Sequence, residues 1–141
     1  MYLSIIFSTI FSVFNFFGEK GSPVTWTFET KKVDDHNIEL IATASIQKTW
    51  VLYSQFTDDN GPIPTSFVVN NIEMKFDEKS KAIKEFDSMF DVEVIKFKEK
   101  AVFTKTFPIK KGESLSGYVT YMTCDGEKCL PPVNVNFDLK F

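Results

Sequence analysis

The chain has 141 residues, a length that suits one domain able to bury about two-thirds of the surface that its unfolded form exposes. Apolar residues make up 43% and charged residues 25%, as in ordinary globular domains, and the sixteen phenylalanines favour strands. The net charge is −3 and every fixed positive charge is a lysine. Nucleic acids are therefore excluded as partners, as is a polybasic membrane-surface patch.

The first segment, residues 1–17, is apolar and uncharged, and the first charges are Glu19 and Lys20. This pattern is typical of the centre of a secretory signal, so we predict a signal-like segment over residues 1–21 and an exported domain over residues 22–141. No basic residue precedes the run and no small-x-small cleavage site closes it. An N-terminal strand and a single membrane anchor therefore remain the alternatives. Export would allow a disulfide to persist.

From Pro23 onwards, short alternating segments are separated by turn-forming residues. This pattern predicts an all-β sandwich of the immunoglobulin-like kind. Residues 78–91 differ, because their apolar side chains fit a 3.6-residue spacing moderately well and indicate a helical turn or a loop. The predicted strands cover residues 24–30, 37–46, 50–56, 66–69, 72–76, 92–97, 101–109, 115–123 and 133–141.

Two cysteines, Cys124 and Cys129, flank the strong turn signal Asp125-Gly126 near the end of the chain. The chain should reverse between them and bring their Cα atoms to about 4.5–5.5 Å, within reach of a disulfide. A plain structural staple is one interpretation. The ring is short, however, and its closure entropy contributes only about 2 kcal/mol, less than longer loops contribute. A chain of this size folds without such a staple, so reversible thiol chemistry is the better explanation.

The charges between the cysteines predict a thiol of ordinary acidity. Lys128 favours a thiolate, whereas Asp125 and Glu127 oppose it, so one lysine against two acids leaves a net charge of −1. Such a thiol reacts slowly and depends on a docked partner for its rate. A closed zinc site is excluded because His36 is the only histidine, and no G-x-S-x-G sequence supports hydrolytic catalysis.

The stretch from residue 121 to 141, YMTCDGEKCLPPVNVNFDLKF, resembles the end of the N-terminal periplasmic domain of the DsbD thiol:disulfide reductases. Three earlier stretches agree with that family: PVTWTF at 23–28, WVLYSQ at 50–55 and GPIPTSF at 61–67. The resemblance covers residues 22–141. It implies an immunoglobulin-like sandwich with the cysteine pair on a C-terminal hairpin.

The resemblance also implies a function, which is a protein-disulfide reductase activity in the periplasm without cofactor or metal. Electrons would arrive from a membrane-embedded donor domain and leave to periplasmic thioredoxin-fold proteins. Cys129 would form the mixed disulfide with the partner, and Cys124 would resolve it. An aromatic cap over the cysteines falls on Phe90. The further residues expected to line the site are Tyr53, Met89, Asp125 and Lys128.

Two departures from the family pattern affect these expectations. Four residues separate the cysteines where some family members have five, and Asp91 follows the cap position where glycine is common. The membrane-embedded and thioredoxin-like parts are expected from outside residues 22–141, and the direction of electron flow stays open. The alternative function is a non-enzymatic, immunoglobulin-like binding module whose disulfide only braces a turn.

Overall fold

A computed structural model describes residues 15–17, 21–110 and 112–140, with only the backbone described at 15–17. Within these ranges no helix occurs, and thus none that is long and apolar enough to cross a membrane. The strands are β1 Asn15–Phe17, β2 Val24–Lys32, β3 Asn37–Ile46, β4 Val51–Tyr53, β5 Ser66–Val69, β6 Ile72–Met74, β7 Asp77–Glu78, β8 Ile83–Asp87, β9 Val92–Phe97, β10 Lys100–Pro108, β11 Ser114–Tyr121, β12 Thr123–Cys124 and β13 Val133–Lys140.

Two larger sheets form the sandwich and a smaller sheet extends it. The first sheet has the order β1-β2-β3-β10-β7, the second β13-β11-β5-β6, and the third β12-β4-β9-β8. Every pairing among these strands is antiparallel, and β3 lies between β2 and β10 with nine residue pairs to each. The predicted all-β sandwich is confirmed.

Trp26 lies at the centre of the core, where the two larger sheets face each other. It is fully buried, and its ring centroid lies 5.7 Å from that of Phe103 in its own sheet and 6.2 Å from that of Phe67 in the opposite sheet. Phe28 is two residues further along, on the same face of β2, and its ring centroid lies 4.7 Å from that of Phe137 in the second sheet. The period-two alternation of β2 thus presents one aromatic face to the opposing sheet, and burial of these rings stabilises the sandwich.

The third sheet has an apolar cluster on each of its two faces. Leu52 and Phe97 belong to the main core, whereas Val51, Tyr53 and Val94 of the same two strands belong to a separate cluster. Because successive side chains of a strand point to opposite faces, three residues of β4 are enough to contact both clusters. The second cluster contains Cys124, so this sheet is the base of the site described below.

The prediction of a helical turn or loop over residues 78–91 was wrong for residue 78 and for Ile83–Asp87, which are strand, and is confirmed for residues 79–82 and 88–91, which are loop and turn. The segment includes the end of β7 and the whole of β8, which pairs with β9 from Ile83 to Asp87. Its apolar residues do not form a buried helical face, since Phe86 is 62% exposed. Backbone hydrogen bonding to the neighbouring strand therefore decides the conformation of this edge segment, and the apparent 3.6-residue spacing does not.

The signal-like segment predicted for residues 1–21 lies largely outside the described residues. Within it, Asn15–Phe17 forms β1, which pairs with residues 26–28 of β2. The pairing agrees with the alternative of an N-terminal strand at these three positions. Cleavage and export remain predictions.

We expect Gly117→Ala to destabilise the sandwich strongly. Gly117 lies in the middle of β11, between β13 and β5, and a Cβ there would be 1.9 Å from the carbonyl oxygen of Val68. The strands would have to separate, at a cost of about 3 kcal/mol in the free energy of unfolding. Urea unfolding measures the loss, and Ser116→Ala, at an exposed position of the same strand, is the control. Equal midpoints for the two variants would contradict the packing described.

Candidate functional site

The two cysteines form a disulfide across a tight reversal of the chain. Cys124 and Cys129 are bonded, with their Cα atoms 4.1 Å apart, slightly closer than predicted. Two backbone hydrogen bonds close the reversal: Asp125 N–H donates to the carbonyl of Lys128 at 3.0 Å, and Leu130 N–H to that of Thr123 at 3.0 Å. The predicted turn and the predicted reach of the two cysteines are therefore both observed.

The Asp125 side chain stabilises this turn. Its carboxylate accepts hydrogen bonds from the backbone N–H groups of Glu127 and Lys128, both at 2.9 Å, and Gly126 supplies a left-handed φ of 93°. The hydrogen bond from Lys128 and then that from Glu127 lower the pKa of the Asp125 carboxyl, so it remains ionised at neutral pH. Its negative charge lies within the turn between the two cysteines and disfavours thiolate formation.

The two sulfur-bearing residues differ in exposure. Cys124 is 1% exposed, whereas Cys129 is half-buried. Cys124 is held on strand β4, because β12 pairs with β4 at Val51 and the Thr123 hydroxyl donates to the Val51 carbonyl at 2.7 Å. An incoming thiolate therefore has easier access to Cys129 than to Cys124.

We call the apolar group around the disulfide the cysteine cluster. Phe90 is one of its partly buried members, and its ring meets that of Tyr53 edge to face at a centroid distance of 6.3 Å. The structure thus brings Phe90, Tyr53 and both cysteines together, while the role of Phe90 as a cap stays a prediction. The members of the cluster are Val51, Tyr53, Phe90, Val92, Val94, Met122, Cys124 and Cys129.

Phe90 is held by the hairpin between β8 and β9. The Asp87 carboxylate accepts from the N–H of Met89 at 2.8 Å and of Phe90 at 3.3 Å, and the Asp87 carbonyl accepts from Asp91 N–H at 2.8 Å. Asp91 has a φ of 57°, the left-handed conformation that explains why glycine suits this position. Gly61 packs against the hairpin, and a Cβ added to Gly61 would lie 3.5 Å from the Cβ of Phe90. Sequence reasoning missed both Asp87 and Gly61 as supports.

Met89 and Lys128, the remaining predicted lining residues, lie at the edges of the site. The Met89 side chain is 42% exposed within the same hairpin as Phe90. Lys128 is exposed, and its Nζ lies 6.0 Å from the centroid of the Trp50 ring, a cation–π distance. Trp50 therefore restrains the one lysine between the cysteines. The lining roles of Met89 and Lys128 stay predictions.

A pocket of about 350 Å³ lies beside the disulfide, on the same face of the third sheet. Tyr53 forms part of its lining, although its side chain is only 1% exposed. The Tyr53 hydroxyl has no hydrogen-bond partner among the described residues. Burial, and secondarily the charge of Asp87, raises the pKa of Tyr53 to about 12, so the phenol is neutral. Other lining residues include Trp50, Val51, Lys96 and Asp125.

Lys96 is the pocket residue for which the sequence did contain a signal. It occupies an inward-facing position of β9, two residues after the buried Val94, where an apolar residue is usual. Its side chain is largely buried and pairs with the Glu85 carboxylate, which lowers the pKa of Glu85. A lysine at an inward position of an alternating strand could have been read as a sign of a polar pocket.

The backbone on either side of Tyr53 is fixed by buried hydrogen bonds. The Thr65 hydroxyl donates to the Tyr53 carbonyl at 2.6 Å, and the Ser54 hydroxyl donates to Glu78 at 2.7 Å. The Gln55 side chain joins both backbone groups of Phe76, accepting from its N–H at 2.9 Å and donating to its carbonyl at 3.0 Å. These bonds fix the backbone that carries Tyr53 at the floor of the pocket. No group of His, Cys, Asp and Glu side chains among the described residues could hold a metal ion.

Comparison with known proteins supports the fold. No family model matches the chain, and no curated protein matches it. Among solved structures, it is similar to the reduced form of the DsbD N-terminal domain of Neisseria meningitidis, with a TM-score of 0.52, 19% identity, and coverage of 82% of this chain and 85% of that one. It is also similar to the GAE domain of yeast GGA1, with a TM-score of 0.44, 8% identity, and coverage of 88% and 97%. The chain therefore has a DsbD N-terminal-like fold, as the sequence resemblance predicted.

We expect Asp125→Ala to shift the dithiol–disulfide equilibrium towards the dithiol by roughly threefold or more, because the turn loses two hydrogen bonds that hold the cysteines together. Titration against glutathione measures the shift. Glu127→Ala removes the same charge without a turn hydrogen bond and is the control. The lowered pKa of Asp125 means that the difference from wild type is present above a normal carboxyl pKa of about 4 and is lost as pH falls through the lowered value. Equal shifts in both variants would contradict this role of the carboxylate.

Proposed function

We propose that this domain is a periplasmic thiol:disulfide interchange module that relays electrons through Cys124 and Cys129 to thioredoxin-fold proteins. The observation that carries the proposal is the disulfide itself, which joins one buried and one partly exposed cysteine on a single hairpin beside an aromatic ring. The DsbD N-terminal-like fold supports it. The activity is of the protein-disulfide reductase type.

In the first half of the cycle the domain gains two electrons. A thiolate of the reduced donor attacks the Cys129 sulfur, the Cys124–Cys129 bond breaks, and the Cys124 thiolate leaves and takes up a proton. A second thiolate of the donor then attacks the donor sulfur that is bonded to Cys129 in the mixed disulfide. This releases the Cys129 thiolate, so the donor becomes a disulfide and the domain a dithiol.

In the second half the electrons leave. The Cys129 thiolate attacks a sulfur of the acceptor's disulfide and forms a mixed disulfide, while the other acceptor sulfur departs as a thiolate and is protonated. Cys124 loses its proton and attacks Cys129, which restores the internal disulfide and releases the acceptor as a dithiol. The short separation of the two cysteines supports Cys124 in this resolving role, since its sulfur stays within reach.

A purely structural role explains the disulfide less well. The backbone hydrogen bonds of Asp125 and Leu130 and the two bonds to the Asp125 carboxylate already close the reversal. Ring closure over so few residues contributes only about 2 kcal/mol. The bond joins a hairpin to itself and does not connect the two large sheets, so the sandwich gains little from it.

The partners belong to the same proposal. The donor would be a membrane-embedded domain of the DsbD type and the acceptors thioredoxin-fold proteins of the periplasm. The ionised Asp125 beside the cysteines makes spontaneous exchange with small thiols slow, which favours reaction within a docked protein complex.

The decisive experiment combines a potential with a trapping assay. We expect a reduction potential above about −300 mV against glutathione, because structural disulfides lie below that value. We also expect Cys124→Ala to accumulate a mixed disulfide through Cys129 with a thioredoxin that lacks its resolving cysteine. Cys129→Ala is the matched control and should trap much less, since its remaining sulfur is buried. A potential well below −300 mV together with no adduct would reject the relay.

We expect Phe90→Ala to speed reduction of the disulfide by dithiothreitol several-fold, because the ring packs against the cysteine cluster and in the proposed cap role would restrict access. Stopped-flow measurement of the reduction rate tests this. Phe86→Ala removes an exposed ring from the preceding strand, outside the cysteine cluster, and is the control. Unchanged or slower reduction of the Phe90 variant would show that the ring does not shield the sulfurs.

A further inference from the structure

Gly61 lacks a side chain at a position where the backbone does not require glycine. Its φ lies outside the left-handed region, and the proline that follows it favours an extended conformation that any residue can adopt. The need for glycine comes from space instead. A Cβ added to Gly61 would lie only 2.7 Å from Cγ2 of Val92, and it would also contact Cβ and Cγ of Phe90, at 3.5 Å and 3.8 Å. Val92 and Phe90 therefore pack directly against the backbone of Gly61.

The loop that carries Gly61 is fixed to the rest of the domain on both sides. Before Gly61, the buried Thr57 hydroxyl accepts a hydrogen bond from the N–H of Ile95 in β9 at 3.0 Å. After it, the buried Thr65 hydroxyl donates to the Tyr53 carbonyl in β4 at 2.6 Å. Because these bonds hold both ends of the loop, a steric conflict at Gly61 would be relieved by movement of the facing hairpin.

The tip of that hairpin, residues 88–91, is held less firmly. Its hydrogen bonds among the described residues all go to Asp87 of the same hairpin, so its position beside the disulfide depends on packing. Two surfaces contact Phe90 from outside the hairpin: the backbone of Gly61 at the base of the side chain, and the Tyr53 ring, which it meets edge to face at a centroid distance of 6.3 Å. Phe90 and Val92 both belong to the cysteine cluster, so moving them changes the packing next to the sulfurs.

We propose that Gly61 is a positioning residue for the Phe90 ring. The space left by its missing side chain lets Phe90 and Val92 pack against the cysteine cluster, and this packing limits access to the disulfide. The inference rests on the proposed function and on the cap role of Phe90, and it assigns the closed position of the cap to a residue on a different loop. A side chain at position 61 would displace the ring, because the loop is fixed and the tip of the hairpin is not.

Gly61→Ala tests the proposal through the rate at which dithiothreitol reduces the disulfide. We expect the rate to rise several-fold, towards that of Phe90→Ala, because the added methyl group displaces the ring. In the Phe90→Ala background the same substitution should change the rate less than about twofold, since the ring through which Gly61 acts is then absent. Gly112→Ala is the matched control, because an added Cβ there has no atom within 4 Å, and it should leave the rate unchanged.

Two substitutions at Val92 separate displacement of the ring from a general loss of stability. Val92→Ile enlarges the other side of the same contact and should also speed reduction, so the proposal is still tested if Gly61→Ala does not fold. Val92→Ala removes Cγ2, and in that background Gly61→Ala should have little effect on the rate. Urea unfolding of each variant verifies that all rates are measured on the folded protein.

A faster reduction of Gly61→Ala that disappears in both the Phe90→Ala and the Val92→Ala backgrounds supports the proposal. An unchanged rate, or an increase that persists without the Phe90 ring, overturns it. An unchanged rate for Phe90→Ala alone also overturns it, since there is then no shielding ring to position. Failure of the relay is recognised separately: a wild-type protein that dithiothreitol reduces but that exchanges with no thioredoxin rejects the proposed function and leaves the comparison among these variants unaffected.

Discussion

The strict alternation of side chains across one short sheet is the constraint on which the rest of the site depends. Leu52 and Phe97 anchor the third sheet in the main core, and the same strands therefore must present Val51, Tyr53 and Val94 on the opposite face. That second face is too small to form a core of its own. It is completed by the cysteine hairpin and by the Phe90 hairpin, which is how residues far apart in the chain come to surround one disulfide.

The site combines parts that are tied to neighbouring strands with one part, the Phe90 hairpin, whose described hydrogen bonds are all within the hairpin itself. Tyr53 and Cys124 are tied to neighbouring strands through buried backbone and hydroxyl contacts. Phe90, by contrast, is attached through a hairpin on an edge strand and is only partly buried. In the proposed cap role, motion confined to this hairpin would expose the sulfurs without disturbing the floor of the pocket. Edge strands with exposed hydrogen bonds lie at the low-stability end of a fold, which makes such local motion easier.

Much of the fold could be predicted from the sequence, since strands that bury one face show it in their alternation. The bounds of β3, β5 and β9 agree residue for residue with the predicted ones. The edge strand β8 could not be recognised in this way, because its burial pattern does not alternate and its pairing with β9 is a tertiary property. Sequence patterns alone could not find the strand without knowledge of its neighbour.

The candidate site, like the fold, could be predicted from the sequence only in part. The turn at Asp125-Gly126 is local chemistry, so the closeness of the cysteines could be predicted. The position of Phe90 came from the family resemblance and not from periodicity. The pocket could not be foreseen, because its walls come from separate segments, with Trp50, Asp87, Lys96 and Asp125 each on a different one. Only the lysine at an inward position of β9 hinted at it.

The cysteine hairpin has a consequence for durability. Its backbone hydrogen bonds do not involve sulfur, and Cys124 keeps its pairing with β4 in any redox state that preserves the strands. Because these contacts are independent of the S–S bond, we expect its opening to free no loop, to expose no core and to require no refolding before the bond forms again. Under the proposed relay, a domain built in this way would be oxidised and reduced many times without passing through a partly unfolded state, so aggregation and proteolysis would not increase with each turnover.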